Sequence, residues 1–274
     1  MKNDVFVIKY GGSSMTDDGL KKSVARDVAA LNKKGKKIAL VHGGGPDIDA
    51  MLKTAGIEKR FVNGLRYTDS QTMRIVSMVL RGKINGEICA LINKNGARAI
   101  GLCGFSAGLL KGRRIKGSLG EDLGLVGEVE EVGVQFLLSL INLPPQPYAL
   151  IPVIAPVAFC EAEEELALNV NADYAAAKIA GALSSPSFIL MTNVPGIMLD
   201  VKKPETLIRE IHIKELDELQ KNKVISGGMI PKIDCCRLAI KEGVKKVQII
   251  NACVEGALRR VVEEDEPLGT IVLP

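Results

Sequence analysis

Apolar residues along this chain follow two alternating rhythms. Short, nearly unbroken runs such as Val5-Phe6-Val7-Ile8, Ile38-Ala39-Leu40-Val41, Phe188-Ile189-Leu190-Met191, Val247-Gln248-Ile249-Ile250 and Thr270-Ile271-Val272-Leu273 have the length of buried strands. Between them the spacing changes to threes and fours. Leu20, Val24, Val28 and Leu31 predict a helix over 19–34, closed by Gly35. Pro46 suits a first helical position and predicts a helix over 47–54. Further helices are expected over 70–93, with glycine interruptions, and over 172–183, 213–222 and 230–242. Strands are expected over 97–102 and 148–157. The stretch 111–147 is the least regular, with basic residues, glycines and Pro144, Pro145 and Pro147, and predicts a hairpin and an exposed loop.

Strand–helix alternation of this kind means an α/β fold, a largely parallel sheet with helices on both faces. Such sheets gather ligands at the carboxyl ends of their strands. Gly11-Gly12 follows the first strand and Gly43-Gly44-Gly45 the second, so backbone N–H groups are available there for phosphate oxygens. The chain has no G-x-x-x-x-G-K-[ST], which excludes a P-loop, and no G-x-G-x-x-G at a strand-to-helix turn.

Composition removes other classes. The net charge of +4 is interleaved along the chain, aromatics are 4% and Trp is absent, so neither a basic stripe nor a stacking platform for nucleic acid is present. The cysteines form no C-x-x-C pair, and His42 and His212 do not complete a ligand set. No Cys/His metal site is expected, and the thiols read as reduced cysteines packed in a cytosolic protein. No leader pattern precedes the first strand and no apolar run reaches membrane length, which points to the cytoplasm and to no membrane partner. At 274 residues the chain has room for two lobes sharing a sheet.

Charge placement adds chemistry. Lys9 ends the first strand just before Tyr10-Gly11-Gly12, and Lys232 lies in Gly227-Gly228-Met229-Ile230-Pro231-Lys232, near a helix beginning. Two lysines beside glycine turns can grip the oxygens of a transferring phosphoryl group. From the residues alone, solvated lysines and tight structural turns remain open as alternatives.

In order along nearly the whole chain, several motifs resemble those of the N-acetylglutamate kinases of the amino acid kinase family. They are Val7-Ile8-Lys9-Tyr10-Gly11-Gly12-Ser13, Val41-His42-Gly43-Gly44-Gly45-Pro46, Asn63-Gly64-Leu65-Arg66-Tyr67-Thr68-Asp69, Asn169-Val170-Asn171-Ala172-Asp173, Thr192-Asn193-Val194-Pro195-Gly196-Ile197 and the Gly227–Lys232 run, residues 227–232. The resemblance implies a three-layer αβα sandwich, the amino acid kinase fold. An N-terminal lobe (1–184) would bind the amino acid and dimerise, and a C-terminal lobe (185–274) would bind ATP. Lys9 and Lys232 would stabilise the transferring phosphoryl group, Asp173 would hold both lysines, and Gly12 and Gly45 would offer N–H groups to phosphate. Gly44, Gly45, Arg66 and Asn169 would bind N-acetyl-L-glutamate. Asn193, Gly196, Gly228 and Met229 would line the nucleotide pocket. ATP and Mg²⁺ are implied, with no metal held by the protein itself.

Physical chemistry agrees with that inventory. A γ-carboxylate with pKa near ~4.3 is already anionic at neutral pH, so no general base is needed. The difficulty is an anion attacking a polyanion, which cations and oriented N–H groups relieve. Arg66 offers a planar fork for an α-carboxylate, and Asn169 can donate and accept toward an acetamido group. The plainer alternatives are an ion pair for Arg66, a helix-start preference for Asp173, simple caps for the asparagines and a structural role for His42.

Some positions depart from the family pattern. Ser106-Ala107 stands where Asp-Gly is common, Asn193 stands where Asp is common, and 143–147 reads as a short insertion. Members inhibited by arginine carry an added N-terminal helix that builds hexamers. The first strand here is under way by Val5, so a homodimer that arginine does not inhibit is expected. Two other functions compete. One is a kinase for α-aminoadipate or glutamate carried on a small acidic protein, with Lys111, Arg113, Arg114 and Lys116 as its docking surface. The other is a non-catalytic binding protein of the same fold.

Overall fold

The computed structural model describes residues 4–144, 149–164, 166–222, 225 and 229–274. At its centre is β1 (Val5–Tyr10), flanked by β2 (Lys37–His42) and β11 (Phe188–Thr192), both parallel to it, with Lys9 in register with Val41 and Leu190. Every residue of β1 except Phe6 is buried, which is why the run reads as apolar without alternation. The eight-stranded sheet continues on one side through β8 (Leu150–Ile154) to β5 (Arg98–Leu102). On the other it runs through β13 (Val247–Asn251) and β14 (Thr270–Leu273) to β12 (Glu210–His212). Only the β13–β14 pair is antiparallel.

Helices cover both faces. In one layer α1 (Asp18–Lys33) packs on α4 (Asn85–Lys94) and α9 (Ala257–Glu263); in the other α6 (Ala172–Ala182) packs on α8 (Ile230–Lys241). Helix α1 starts on the Asp17 side chain, which accepts the Leu20 N–H at 2.8 Å. The long helix expected over 70–93 is α3 (Ser70–Ser77), one wide turn at Met78–Ile84, and α4, continuous along the chain. Helix α2 (Gly45–Thr54) opens with Pro46 in its first turn, and α7 (Ile213–Lys221) precedes α8.

A second, four-stranded sheet closes on itself, built from β6 (Leu110–Lys116), β7 (Asp122–Val132), β9 (Val157–Phe159) and β10 (Ala167–Val170). A short hairpin, β3 (Phe61–Val62) and β4 (Leu65–Arg66), completes the strands. The expected hairpin is β6–β7. Where an exposed loop was expected after it, the chain forms α5 (Val134–Ile141), with Leu137 and Ile141 buried. Residues 145–148, including Pro145 and Pro147, lie outside the described ones. The strand expected over 148–157 splits. The chain leaves the main sheet at Ile154 and joins the small one at Val157, on either side of Pro156, which has no N–H for a ladder.

The Ser106-Ala107 departure acquires a physical meaning here. The Cys103 N–H donates to Ser106 Oγ at 3.1 Å and the Ser106 N–H donates to the Cys103 carbonyl at 2.9 Å, so the serine hydroxyl serves the turn. Ala107 then sits at φ +51, a left-handed conformation in which its Cβ is crowded. Ala107→Gly removes that crowding at some cost in unfolded-chain entropy. It is expected to stabilise the protein by about 1 kcal/mol, read as a higher urea midpoint at unchanged slope. An unchanged or lower midpoint would show that the turn is unstrained.

Candidate functional site

The carboxyl ends of β1, β2 and β11 meet in one place. The Gly43 N–H donates to the Tyr10 carbonyl at 2.8 Å, joining the first two turns. Gly12 has φ +95, and a Cβ there would lie 3.6 Å from the Asn193 backbone nitrogen, so the first turn rests against the β11 turn. Lys9 is 8% exposed, and its ammonium passes so close over Gly11 that a Cβ there would collide with Nζ.

The lysine ends on Asp173, with Nζ 2.9 Å from Oδ1; Lys232 Nζ lies 4.0 Å from Oδ2. Among the described residues Oδ1 accepts no hydrogen bond, so Lys9 holds it as a charge at close range. Asp173 stands in the first turn of α6, and its N–H donates to the Asn171 side chain at 2.8 Å. Capping and charge pairing, which looked like alternatives in the sequence, therefore coexist here. Lys232 stands in the first turn of α8, and the Cys235 thiol, buried on the same helix, donates to the Asp173 carbonyl at 3.0 Å. Two cations, one carboxylate and two helix N-termini leave an excess of positive potential, which an anion would complement.

A second group lies around α2. Gly44 and Gly45 begin this helix; a Cβ on Gly44 would collide with Leu80 and Ile84 of the wide turn, whereas Gly45 faces open space. The Arg66 side chain is 9% exposed. Its Nη2 donates to Asp49 Oδ1, its guanidinium carbon lies 4.8 Å from the Phe61 ring centroid, and Nη1 is buried without a partner among the described residues. Arg66 is thus paired with Asp49 through Nη2 while Nη1 has no partner among the described residues. Asn169 Nδ2 donates to Thr68 Oγ1 at 3.1 Å, and that hydroxyl donates to the Arg66 carbonyl at 2.8 Å. Thr68, fully buried, ties two residues the sequence singled out separately. Its place within the Arg66-Tyr67-Thr68 motif was the signal.

On the β11 side, Asn193 is exposed and its Oδ1 is 3.4 Å from Thr192 Oγ1. Gly196 is buried, and a Cβ there would lie 2.5 Å from Thr270 Oγ1, so close packing on β14 accounts for this glycine. Met229 immediately precedes α8 and packs on the core; Gly228 lies outside the described residues. Three of the four cations of β6 pair with carboxylates of β7: Lys111 with Glu131 at 3.7 Å, Arg113 with Glu130 at 3.0 Å and Arg114 with Asp122 at 2.7 Å. Much of that strand's positive charge is thus paired within the hairpin. His42 is fully buried. Nδ1 is 2.8 Å from the Gly43 carbonyl and Nε2 is 3.1 Å from Asn85 Nδ2, which matches a neutral ring donating from Nδ1 and accepting at Nε2.

Residues 4–251 match the model of the amino acid kinase family. The chain is 41% identical over 271 residues to an acetylglutamate kinase of Clostridium kluyveri, covering 99% of this chain and 93% of that protein. It is 44% identical over 266 residues to one of Caldanaerobacter subterraneus, covering 97% and 86%. Among solved structures, an N-acetylglutamate synthase from Neisseria gonorrhoeae superposes with TM-score 0.80 at 19% identity, over all of this chain and 62% of that one. A carbamate kinase from Giardia lamblia superposes with TM-score 0.65 at 16% identity, over 98% of each chain. The two structures share the fold.

Burial pushes His42 down from 6.5 to about 4, only partly opposed by its bond to the Gly43 carbonyl. A histidine held neutral contributes stability that is fully present above its unfolded pKa and is lost as pH falls through the folded one. Up to about 3 kcal/mol should disappear between roughly pH 6.5 and pH 4. In urea unfolding across that window, His42→Gln is expected to lose less stability than the wild type; parallel losses would place the acid sensitivity elsewhere.

Proposed function

The chain belongs to the amino acid kinase family, and from that premise we propose that it transfers the γ-phosphoryl group of ATP to the γ-carboxylate of N-acetyl-L-glutamate, giving N-acetyl-L-glutamyl 5-phosphate for arginine biosynthesis. The observation that carries the reading is the convergence of Lys9 and Lys232 on one buried carboxylate at the strand ends. A carboxylate oxygen attacks the γ-phosphorus, the bond to the bridging oxygen breaks, and ADP leaves with the electron pair. No proton moves, so no base is required, in keeping with a neutral, buried His42.

In this reading Lys9, Lys232 and the N–H groups of Gly12 and Gly45 take up charge on the phosphoryl oxygens, and Asp173 keeps both ammonium groups aimed. Mg²⁺ enters chelated to ATP and neutralises part of its charge. Arg66 receives the α-carboxylate on Nη1, Asn169 meets the acetamido group and Gly44 gives close backbone approach. Asn193 and Met229 border the nucleotide. Residues 1–184 form the acceptor and dimer lobe and 185–274 the ATP lobe of a cytoplasmic homodimer. Among the described residues no helix is long and apolar enough to cross a membrane.

Mg-ATP with N-acetyl-L-glutamate and hydroxylamine is expected to give a hydroxamate, with none from L-glutamate, L-aspartate or L-α-aminoadipate. Hydroxamate only when a carrier protein is added, or ATP binding without any product, would sink this assignment. Lys232→Ala, whose side chain is 22% exposed and can be cut without opening the core, is expected to lower kcat about 10²–10³-fold with its circular dichroism spectrum unchanged. Near-wild-type turnover in that variant would remove Lys232 from the reaction.

A further inference from the structure

Asp49 sits one turn into α2, four residues after Gly45, and its two carboxylate oxygens serve two different cations. Oδ1 accepts from Arg66 Nη2, and Oδ2 lies 2.9 Å from Lys59 Nζ. Burial raises the pKa of this carboxyl, but the hydrogen bonds from Lys59 and Arg66 outweigh burial and hold it below its ordinary value. Arg66 itself rides on a hairpin with strands of two residues each, too short to fix a side chain unaided. Two contacts immobilise it: the Phe61 ring, from its partner in the hairpin register, and Asp49, from the helix that begins at Gly44-Gly45. The consequence is an arginine anchored through Nη2, with Nη1 buried and without a partner among the described residues.

We propose that Asp49 is a positioning residue for the acceptor: it clamps Arg66 through Nη2 so that Nη1, held in a fixed place, receives the substrate's α-carboxylate. The proposal rests on the acceptor role given to Arg66 above. An unclamped arginine gives up its rotamer freedom when the ligand binds, and a pre-fixed one does not, so the clamp acts on acceptor affinity and not on phosphoryl transfer. Asp49 would also repel a bound carboxylate, but Lys59 on its other oxygen offsets that charge, and the remaining effect is geometric.

The test uses the full-length enzyme and whichever of the four acids yields hydroxamate with the wild type. Asp49→Ala is expected to raise acceptor KM about tenfold or more, with kcat and the KM for Mg-ATP within about twofold. Asp49→Asn keeps an oxygen for Nη2 and should fall nearer the wild type. In an Arg66→Ala background, Asp49→Ala should raise acceptor KM no further, because the clamp has nothing to hold. An unchanged or lower acceptor KM in Asp49→Ala, or the same increase with Arg66 already removed, overturns the proposal while leaving the kinase assignment standing. A wild type that turns over none of the four acids overturns both.

Discussion

A carboxylate shared by two lysines and buried at the end of a central strand is costly to build, because each ion loses several kcal/mol of hydration. Much of the surrounding structure is what that requires. Lys9 reaches Asp173 from a strand flanked on both sides, so its backbone cannot shift to let water in. Asp173 and Lys232 come from two helices that pack on each other, and both carry small buried residues: Ala176, Ala180 and Gly181 on α6, Cys235 and Ala239 on α8. At Gly181 even a Cβ would collide with Glu242, just past the end of α8. The Cys235 bond to the Asp173 carbonyl ties the first turns of the two helices directly. Larger side chains along this seam would push the helices apart and pull the lysine from the carboxylate.

The elements legible in the sequence are those whose environment is uniform along their length. Strands β1, β2, β11 and β13 are buried on both faces and read as apolar runs; α1 keeps one apolar stripe and an Asp17 cap. Strands β9 and β10, of three and four residues, carry no period of their own and exist because each pairs with the other and with β6 or β7. Helix α5 was hidden by its surroundings, since its Val134–Ile141 run is short and is followed by prolines that suggest a loop. Likewise the site was legible where a motif carries its own geometry, as at Gly11-Gly12 or Pro231-Lys232. It was illegible where a side chain depends on a distant partner. Nothing in the spacing of residues 49 and 66 reveals that they pair, and Thr68 acts through Asn169, 101 positions away.

The departures from the family pattern fall into the same two kinds. Ser106-Ala107 stands in a local turn that the serine hydroxyl serves as acceptor, at the cost of a strained alanine, and the consequence can be read locally. Asn193 changes charge without changing shape, in a turn packed against Gly12. If the nucleotide binds as proposed, an uncharged residue there would leave its phosphate oxygens facing more net positive potential from the lysine cluster than an aspartate would.

Two clusters on this molecule share one charge arrangement. Asp173 stands between Lys9 and Lys232; Asp49 stands between Arg66 and Lys59. Two cations brought to about 4 Å without an anion between them would repel by roughly 4 kcal/mol at an effective dielectric constant near 20, and would swing toward solvent. A lone cation has no such repulsion but also no fixed direction. One carboxylate for two cations resolves both difficulties, since it fixes the geometry and leaves one unit of positive charge unbalanced. In the proposed reaction one surplus would face the phosphoryl oxygens and the other the acceptor's α-carboxylate. The same ratio at both clusters matches the charge of the proposed reactants.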